Sequence, residues 1–319
     1  MLKITKLNRH CTLVSPNRPE IWKCNALVID HGASLTLIDG NFNALEIDQL
    51  LSLFGKPIKA CLSSHSHVDH INNLHCLEAR GIPIFSPAAE HKYLLNIEIL
   101  LQEGGADEQS ARAEMKEFIV NELGFRNLTR VTEFAPDTVF ADAFIEDEIK
   151  IASLPLPGHS PGHTGYLIAG PTGPDILFVA DIGLDDFGAW YGFSYCNLAD
   201  YRTSIKKLQK LYNPERQILI SSHNLPHYPD NPGDFDTIIT GLNFTEEKIL
   251  QTLAGESGKT VADLTFIGLY YPLKALQRMR GGLRRLYYFW EFCSIQNHLK
   301  ELEKRQKVTR IDDRWFYQG

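Results

Sequence analysis

The 319-residue sequence predicts an α/β fold followed by a smaller, mainly helical C-terminal domain. Apolar strand-like runs alternate with helical patterns through the first two thirds of the chain, an order that is typical of α/β folds. The stretch "NLPHYPDNPGDFD" then places three prolines among polar residues, and helical patterns dominate beyond it. We therefore predict a large domain over residues 1–236 and a small one over residues 237–319.

The first forty residues predict an antiparallel, hairpin-rich sheet. "CTLVSP", "KCNALVID" and "SLTLIDG" have the composition of strands, and "HGAS" turns between the last two. Strands then alternate with helices, because "IKACLSS" leads into a histidine-rich stretch and "INNLHCLEARG" predicts a helix that ends at Gly81. Residues 88–124 predict a helical insertion whose second helix is closed by Gly124.

Three apolar strands follow the insertion, in "IKIASLPL", "TGYLIAG" and "DILFVAD". A helix from Asp200 carries apolar residues at helical spacing and stops at Asn213 and Pro214. "QILISSH" is the last predicted strand of the large domain.

The C-terminal domain predicts three helices and a hairpin. Asn243 and Glu246 have the spacing of a capping box at the start of the first helix, and "TVADLTFIGLYYPLKALQ" predicts the second. The third carries Ile295, Leu299 and Leu302 on one face. "VTRIDDRWFYQ" predicts a terminal β-hairpin that turns at its "DD" pair. Helices followed by a hairpin are typical of a winged-helix module.

Composition predicts a soluble, cytoplasmic protein. Hydrophobic residues make up 44% of the chain, but no apolar run reaches the roughly 18 residues that a membrane span requires. The N-terminal residues "MLKITKLNRH" lack the apolar core of a signal peptide. The six cysteines are dispersed without CxxC spacing, which indicates reduced, structural thiols rather than metal ligands or nucleophiles.

Charge is distributed unequally along the sequence. The formal charge is −7, whereas residues 271–319 carry 11 Lys and Arg against 5 Asp and Glu, a balance of +6 that leaves −13 for the rest. Arg278, Arg280, Arg284 and Arg285 are dense enough to bind phosphates, but apolar neighbours predict a partial burial that would split this surface. Nucleic acid is therefore a disfavoured partner, and the C-terminal domain is expected to shape a small-molecule pocket or to form a homodimer.

The stretch "SSHSHVDHINNL", residues 63–74, carries the strongest chemical signal. Alternate side chains of an extended chain share a face, so His65 and His67 project to one side where the strand "IKACLSS" ends. Asp69 and His70 then begin a helix and approach the same cavity from another angle. Imidazole and carboxylate groups suit zinc, iron or manganese, so the cluster predicts a metal site.

Three later strands each deliver a polar residue at the carboxyl end. His159, Asp181 and His223 follow "LPLPG", "ILFVA" and "ILISS", and such strand ends collect at one edge of an α/β fold. Five histidines and two aspartates are too many for one tetrahedral ion. Two ions about 3.5–4 Å apart, with a carboxylate between them, fit better.

The order of "LTLIDG", "HSHVDH", "LPGHSPGHTGY", "FVADIG" and "ISSH" resembles the metallo-β-lactamase superfamily over residues 10–225. The resemblance implies an αββα sandwich and two ligand sets joined by a bridging Asp181. The sets it implies are His65, His67 and His159 for one metal, and Asp69, His70 and His223 for the other. Asp39 matches an early aspartate that supports the histidine loop without binding metal. The tail resembles the branch that includes the β-lactamase-like protein 2 hydrolases, which has a winged-helix extension.

Some residues near the motifs have two interpretations. His163 is an alternative metal ligand, although a hydrogen-bonded loop residue is its more expected role, and His227 either lines a pocket or lies on the surface. Trp190 and Tyr191 either shape a substrate pocket or cover the core, and Tyr166 has the same alternatives.

These features predict a dinuclear metal-dependent hydrolase, with zinc preferred over iron or manganese. A hydroxide bridging two divalent ions would attack the carbonyl of an ester, thioester or lactone, with Asp69 and Asp181 as catalytic carboxylates. The alternative is a metal-dependent phosphodiesterase or ribonuclease, which the basic tail motivates. An iron-dependent oxidoreductase is disfavoured because diiron relatives usually have glutamate where this sequence has His67. A non-catalytic binding protein is disfavoured because every expected ligand is present.

Overall fold

The computed structural model has the α/β class that the sequence predicts. The structure describes residues 2–17, 22–106, 109–140, 149–185, 187–228, 230, 233–255 and 257–319. Among these residues, no helix has the length and apolar character that crossing a membrane requires.

The first sheet has seven strands that lie in chain order. They are β1 (Leu2–Lys6), β2 (Cys11–Pro16), β3 (Ala26–Asp30), β4 (Leu35–Ile38), β5 (Ile58–Leu62), β6 (Ile84–Pro87) and β7 (Thr132–Phe134). Neighbouring strands from β1 to β4 are antiparallel, which confirms the hairpin-rich start, and those from β4 to β7 are parallel. The carboxyl ends of β4 and β5 therefore meet at one edge, where the histidine cluster begins.

The second sheet has five strands. They are β8 (Val139–Phe140), β9 (Lys150–Pro155), β10 (Thr164–Ala169), β11 (Asp175–Ala180) and β12 (Gln217–Ser221). The order runs from β12 through β11, β10 and β9 to β8, and only the β11–β12 pair is parallel among the paired strands described. Because β11 and β12 run in the same direction, the residues that follow them emerge side by side.

Twelve helical segments accompany the sheets in the described residues. They are α1 (Ala44–Phe54), α2 (Val68–Ile71), α3 (Leu74–Glu78), α4 (His91–Leu95), α5 (Ile97–Glu103), α6 (Gln109–Glu117), a π-helical turn (Phe118–Glu122), α7 (Leu198–Leu211), α8 (Phe235–Leu253), α9 (Val261–Leu264), α10 (Leu273–Arg278) and α11 (Gly281–Lys304). Sequence patterns missed α1, whose start is fixed by a capping box between Asn43 and Glu46.

The core is layered. One buried cluster lies between the two sheets and joins Leu27 and Leu62 of the first sheet to Tyr166 and Ile176 of the second. A larger cluster covers the opposite faces of both sheets with side chains of α1, α3 and α7. Helix, sheet, sheet and helix therefore stack in the order that the αββα interpretation predicts.

The predicted capping box at Asn243 is wrong. Helix α8 already begins at Phe235, because the side chain of Asp234 accepts hydrogen bonds from the backbone N–H groups of residues 236 and 237. Asn243 lies within α8, where its side-chain oxygen accepts a hydrogen bond from Arg202 of α7 at 2.6 Å. A long-range contact, rather than a helix start, explains this polar residue.

The predicted helix through "TVADLTFIGLYYPLKALQ" is also wrong, because the chain forms α9 and α10 with a loop between them. Phe266 and Gly268 adopt positive φ angles of 65° and 91°, which a helix does not allow. The buried carboxylate of Glu291 in α11 accepts hydrogen bonds from the backbone N–H groups of Phe266, Tyr270 and Tyr271. These hydrogen bonds stabilise the loop between α9 and α10.

"INNLHCLEARG" is likewise not one helix, since α2 and α3 are separated at Asn72 and Asn73. The side-chain oxygen of Asn41 accepts hydrogen bonds from the backbone and the side chain of Asn73. This contact holds the chain between the two short helices.

The C-terminal helices form a small core of their own together with the terminal hairpin of β13 (Val308–Ile311) and β14 (Arg314–Tyr317). The hairpin turns at Asp312 and Asp313, as the sequence predicts. Other side chains of the same region, including Tyr271, Leu276 and Trp290, join the larger cluster of the α/β layers. The domain boundary near residue 236 and the winged-helix interpretation stay predictions.

Candidate metal centre

The carboxyl ends of four strands bring all seven predicted ligand residues to one place. The loop after β5 carries His65 and His67, and the helix α2 that follows it carries Asp69 and His70. The loop after β9 carries His159, and Asp181 directly follows β11. His223 lies two residues beyond β12. The seven side chains fall into two groups whose donor atoms lie within 4.8 Å of one another, and Asp181 belongs to both groups.

The first group, which we call the buried group, contains His65, His67, His159 and Asp181. The Nε2 atoms of His65 and His159 are 3.2 Å apart, and the ring centres of His67 and His159 are 4.4 Å apart. Oδ2 of Asp181 lies 3.5 Å from Nε2 of His159 and 3.8 Å from Nε2 of His65. The three imidazoles therefore converge on one point beside a carboxylate oxygen.

The second group, which we call the open group, contains Asp69, His70, His223 and Asp181. Nε2 of His223 lies 3.1 Å from Oδ2 of Asp69 and 3.3 Å from Oδ2 of Asp181. Nε2 of His70 lies 3.2 Å from Oδ1 of Asp181. Asp181 thus stands between the two groups, as a bridging ligand would.

The pKa values of the histidines shift in opposite directions in the two groups. Burial lowers the pKa of His67 to about 3 and holds the pKa values of His65 and His159 well below the usual range, so these rings are neutral near pH 7. In the open group, burial is outweighed by neighbouring groups that raise both pKa values well above the usual range. For His70 these are Cys24 and then the nearby carboxylates, and for His223 they are Asp181 and Asp69. The open group attracts positive charge, and the buried group offers neutral nitrogen donors.

The hydrogen bonds behind the rings orient them for metal binding. Nδ1 of His159 donates to the backbone carbonyl of Trp190 at 2.8 Å, and Nδ1 of His70 donates to Asp39 at 2.9 Å. Both rings therefore turn Nε2 towards the centre. Nε2 of His70 and Oδ1 of Asp181 are buried and have no hydrogen-bond partner in the described part of the chain. Because such atoms are costly to bury unpaired, a divalent cation fits between them.

Asp39 supports the histidine loop from behind. It is 1% exposed, and its carboxylate accepts hydrogen bonds from the backbone N–H and the hydroxyl of Ser64, both at 2.7 Å, in addition to the bond from His70. The position agrees with a supporting role for Asp39, which contacts the open group through Nδ1 of His70.

The structure also separates the alternatives at neighbouring residues. Both ring nitrogens of His163 are engaged, because Nδ1 contacts the carbonyl of Leu156 and Nε2 accepts the backbone N–H of Asp181 at 3.0 Å. His163 therefore positions Asp181 and has no free nitrogen for a metal. Tyr166 is fully buried and donates to the carbonyl of Ser63, which makes it a core residue.

The aromatic pair of the loop after β11 has divided roles. The ring of Trp190 packs against the rings of His67 and His159, with centres 5.1 and 5.7 Å apart. Tyr191 is 1% exposed, and its hydroxyl contacts Nε2 of His298 in α11. Trp190 therefore covers the buried group, whereas Tyr191 joins the core. His227 is half-buried and pairs through its backbone with Leu219 of β12.

Sequence patterns missed three residues that contact the ligands or their loops. The hydroxyl of Tyr195 lies 3.0 Å from Nε2 of His67, which leaves Nδ1 of that ring for a metal. Glu90 contacts the loops on both sides of the buried group. Cys24 is buried and forms a further possible metal-binding set with Asp39 and His70. No local motif marks these residues, because the tertiary fold, rather than their neighbours in the sequence, brings each of them to the site.

Comparisons with known proteins agree with this fold. A family profile described as the metallo-beta-lactamase superfamily matches residues 20–234. A curated relative, the hydroxyacylglutathione hydrolase GloC of Haemophilus influenzae, is 24% identical over 233 residues, which cover 70% of this chain and 89% of the relative.

Two solved structures show the same fold. The metallo-beta-lactamase family protein TTHA1429 from Thermus thermophilus has 18% identity and a TM-score of 0.72, and the match covers 98% of this chain and 100% of that chain. A metallo-beta-lactamase from Pontibacter korlensis has 18% identity and a TM-score of 0.52, and the match covers 75% of this chain and 98% of that chain. The chain therefore belongs to the metallo-β-lactamase superfamily, whose members are metal-dependent hydrolases.

Proposed function

We propose that this protein is a dinuclear metal-dependent hydrolase that cleaves a carbonyl substrate, with thioesters as the leading class and esters and lactones as related ones. The observation that carries the proposal is the sharing of Asp181 between two groups of metal-binding side chains. Two divalent ions held in this way would supply an activated water and a positive charge for the carbonyl oxygen. The donor set suits zinc, and also iron or manganese.

Each residue of the centre has a part in this proposal. His65, His67 and His159 would hold one ion, and Asp69, His70 and His223 would hold the other. Asp181 would hold both ions at a fixed separation. Asp69 turns Oδ2 towards His70 and His223, and its other carboxylate oxygen would orient the attacking water. Asp181 and Asp69 are therefore the proposed catalytic carboxylates.

An aromatic surface beside the buried group supports an acyl substrate. Trp190 contacts Trp290 with ring centres 5.6 Å apart, Trp290 contacts Trp22 at 6.4 Å, and Trp22 contacts Phe118 at 5.3 Å. Trp22, Phe118 and Trp190 are half-buried, so part of the surface of each residue remains accessible. Such a surface would bind the apolar part of an acyl group. The relative named as a hydroxyacylglutathione hydrolase supports the thioester class.

A metal-dependent phosphodiesterase or ribonuclease is the second candidate. Residues 264–290 contain five Lys or Arg and no Asp or Glu. Trp290 is buried within this segment, as the sequence predicts, while its five cations, Lys274, Arg278, Arg280, Arg284 and Arg285, are exposed. Exposed cations at this density would attract phosphates, whereas the negative charge of the remaining chain opposes nucleic acid.

The test is metal analysis of the purified protein followed by a substrate panel containing a thioester, an ester, a lactone and a single-stranded RNA. We expect close to two metal equivalents and turnover of the thioester, with His91→Gln as a control histidine variant outside the cluster. Absence of bound metal after reconstitution with zinc, iron or manganese would refute the proposal. Cleavage of RNA without turnover of any carbonyl substrate would favour the second candidate.

A further inference from the structure

Glu90 is a buried carboxylate that the proposed chemistry does not use. It directly precedes α4, at the start of the helical insertion, and is 0% exposed. Its Oε2 accepts hydrogen bonds from the backbone N–H and the hydroxyl of Ser66, and its Oε1 accepts from the hydroxyl of Ser160 at 2.7 Å and the N–H of Gly162 at 2.6 Å. Within the described residues, all four of these donors are neutral.

The four donors belong to the two loops that carry the buried group. Ser66 lies between His65 and His67, and Ser160 directly follows His159. One carboxylate therefore ties the loop after β5 to the loop after β9, although these loops come from different sheets. The distance between the loops determines how the three imidazoles face one another.

The packing around this carboxylate leaves little freedom. A Cβ atom at Gly162 would lie 2.7 Å from Cγ of Glu90, so only glycine allows the loop after β9 to approach this closely. Four accepted hydrogen bonds satisfy an ionised carboxylate, which has no proton to donate. A buried negative charge that has only neutral donors is stabilised further by a cation nearby. The ion of the buried group would be that cation.

We propose that Glu90 is a positioning residue for the buried group, and that it sets the affinity of His65, His67 and His159 for a divalent ion. The inference rests on the proposed metal centre. It gives the buried group a supporting carboxylate of its own, as Asp39 supports His70 in the open group. It also gives the helical insertion over residues 88–124 a function, because the residues that lead into α4 carry this carboxylate.

The test compares Glu90→Gln with Glu133→Gln, an exposed glutamate on β7. The amide introduced by Glu90→Gln would direct an NH₂ group at donors, so at least one of the two loops would lose its hydrogen bonds. Metal-free protein is titrated with Co²⁺ in competition with a chromophoric chelator, and the visible spectrum of bound Co²⁺ is recorded. The same titration in a His223→Ala background isolates the buried group.

We expect the ion of the buried group to bind about 10- to 100-fold more weakly in Glu90→Gln, with an altered Co²⁺ spectrum, while Glu133→Gln behaves as wild type. Equal affinity and an unchanged spectrum in Glu90→Gln would overturn the inference and leave the metal centre intact. Failure of the wild type to bind Co²⁺ or Zn²⁺ would instead refute the proposed centre itself, and the inference with it.

Circular dichroism of the metal-free proteins checks that Glu90→Gln folds. If it does not fold, Ser66→Ala and Ser160→Ala test the same contacts, because each removes one hydroxyl donor and keeps the carboxylate. Each is expected to weaken binding of the same ion by several-fold. Wild-type affinity in both serine variants would overturn the inference.

Discussion

The buried and open groups of the candidate metal centre share Asp181 but differ in the exposure of their side chains to solvent. His65, His67 and His159 are at most 6% exposed, and Trp190 packs against two of them. In the open group, the side chain of His223 is 29% exposed and that of Asp69 is 18% exposed. The open side is therefore the side from which we expect a substrate to reach the centre.

The difference extends to the support behind each group. In the buried group, Asp181 is joined by neutral imidazoles; Tyr195 and a backbone carbonyl contact two of these rings, and Glu90 contacts the loops that carry them. The open group contains one more carboxylate, and its His70 contacts Asp39. We expect the first ion to be bound rigidly and to exchange slowly. The second ion, which lies nearer to solvent, is expected to exchange more readily and to contact the substrate.

Removing the C-terminal region would remove side chains that contact Trp190, and it is expected to have the largest effect on stability and activity. A chain ending at residue 236 would lack Tyr271, Leu276 and Trp290, which pack in the larger core cluster. Burial of each such side chain contributes roughly 1.5–3 kcal/mol, and a domain is stable by only about 5–15 kcal/mol. We expect the truncated chain to be insoluble or unfolded by circular dichroism. A folded fragment with two metals and full turnover would show that the C-terminal region has no role in the pocket.

Asp181→Ala would affect both groups at once. Loss of the shared carboxylate removes a ligand from each ion, so kcat/KM is expected to fall by about three orders of magnitude or more, as for members of one catalytic unit. Elemental analysis should show that metal content falls well below that of the wild type. Asp313→Ala, in the exposed turn of the terminal hairpin, is the control. Retention of two equivalents by Asp181→Ala would contradict the bridging role.

His67→Ala and His223→Ala would test the two groups separately. We expect wild-type protein to lose metal to a chelator in two phases, because one ion is enclosed and the other is near solvent. His223→Ala should lack the fast phase, and His67→Ala should lack the slow one. Stopped-flow absorbance with a chromophoric chelator measures both phases. A single phase in the wild type, or the same phase lost in both variants, would remove the distinction between the groups.

The residues that form this site are easier to predict from the sequence than the residues that support it. The seven candidate ligand residues stand out in the sequence because a dense motif and three strand ends are local signals, and the structure brings their side chains together. Glu90, Tyr195 and Cys24 were not predictable, since each contacts the centre through side chains or loops far away in sequence. Local patterns describe the strands that carry a site better than the residues that support it from other elements.

The C-terminal helices show the same limit. Helix periodicity cannot reveal that Glu291 of α11 holds the loop between α9 and α10, or that Arg202 of α7 contacts Asn243. Both errors concern polar residues with partners on other elements. By contrast, the terminal hairpin and its turn at Asp312 and Asp313 depend on adjacent residues and were predicted correctly.

Nucleic acid binding is the smallest expected effect, and it would test whether the open side accepts a phosphodiester. Arg285 is paired with Glu114 at 2.6 Å, which leaves Lys274, Arg278, Arg280 and Arg284 as the exposed cations of the basic segment without such a pair among the described residues. Four phosphate contacts would give a salt dependence with a slope of about −3 for a single strand, or roughly 50-fold weaker binding between 50 and 200 mM salt.

We therefore expect weak binding of a labelled single-stranded RNA at physiological salt, measured by fluorescence anisotropy, and further loss in Arg278→Glu. Cleavage is not expected, because the rest of the chain carries net negative charge and the surface beside the metal centre is aromatic. His67→Ala serves as the metal-centre control in the same assay. Metal-dependent RNA cleavage that His67→Ala abolishes, together with no turnover of any ester, thioester or lactone, would place a phosphodiester at the open group and reverse the proposed order of substrates.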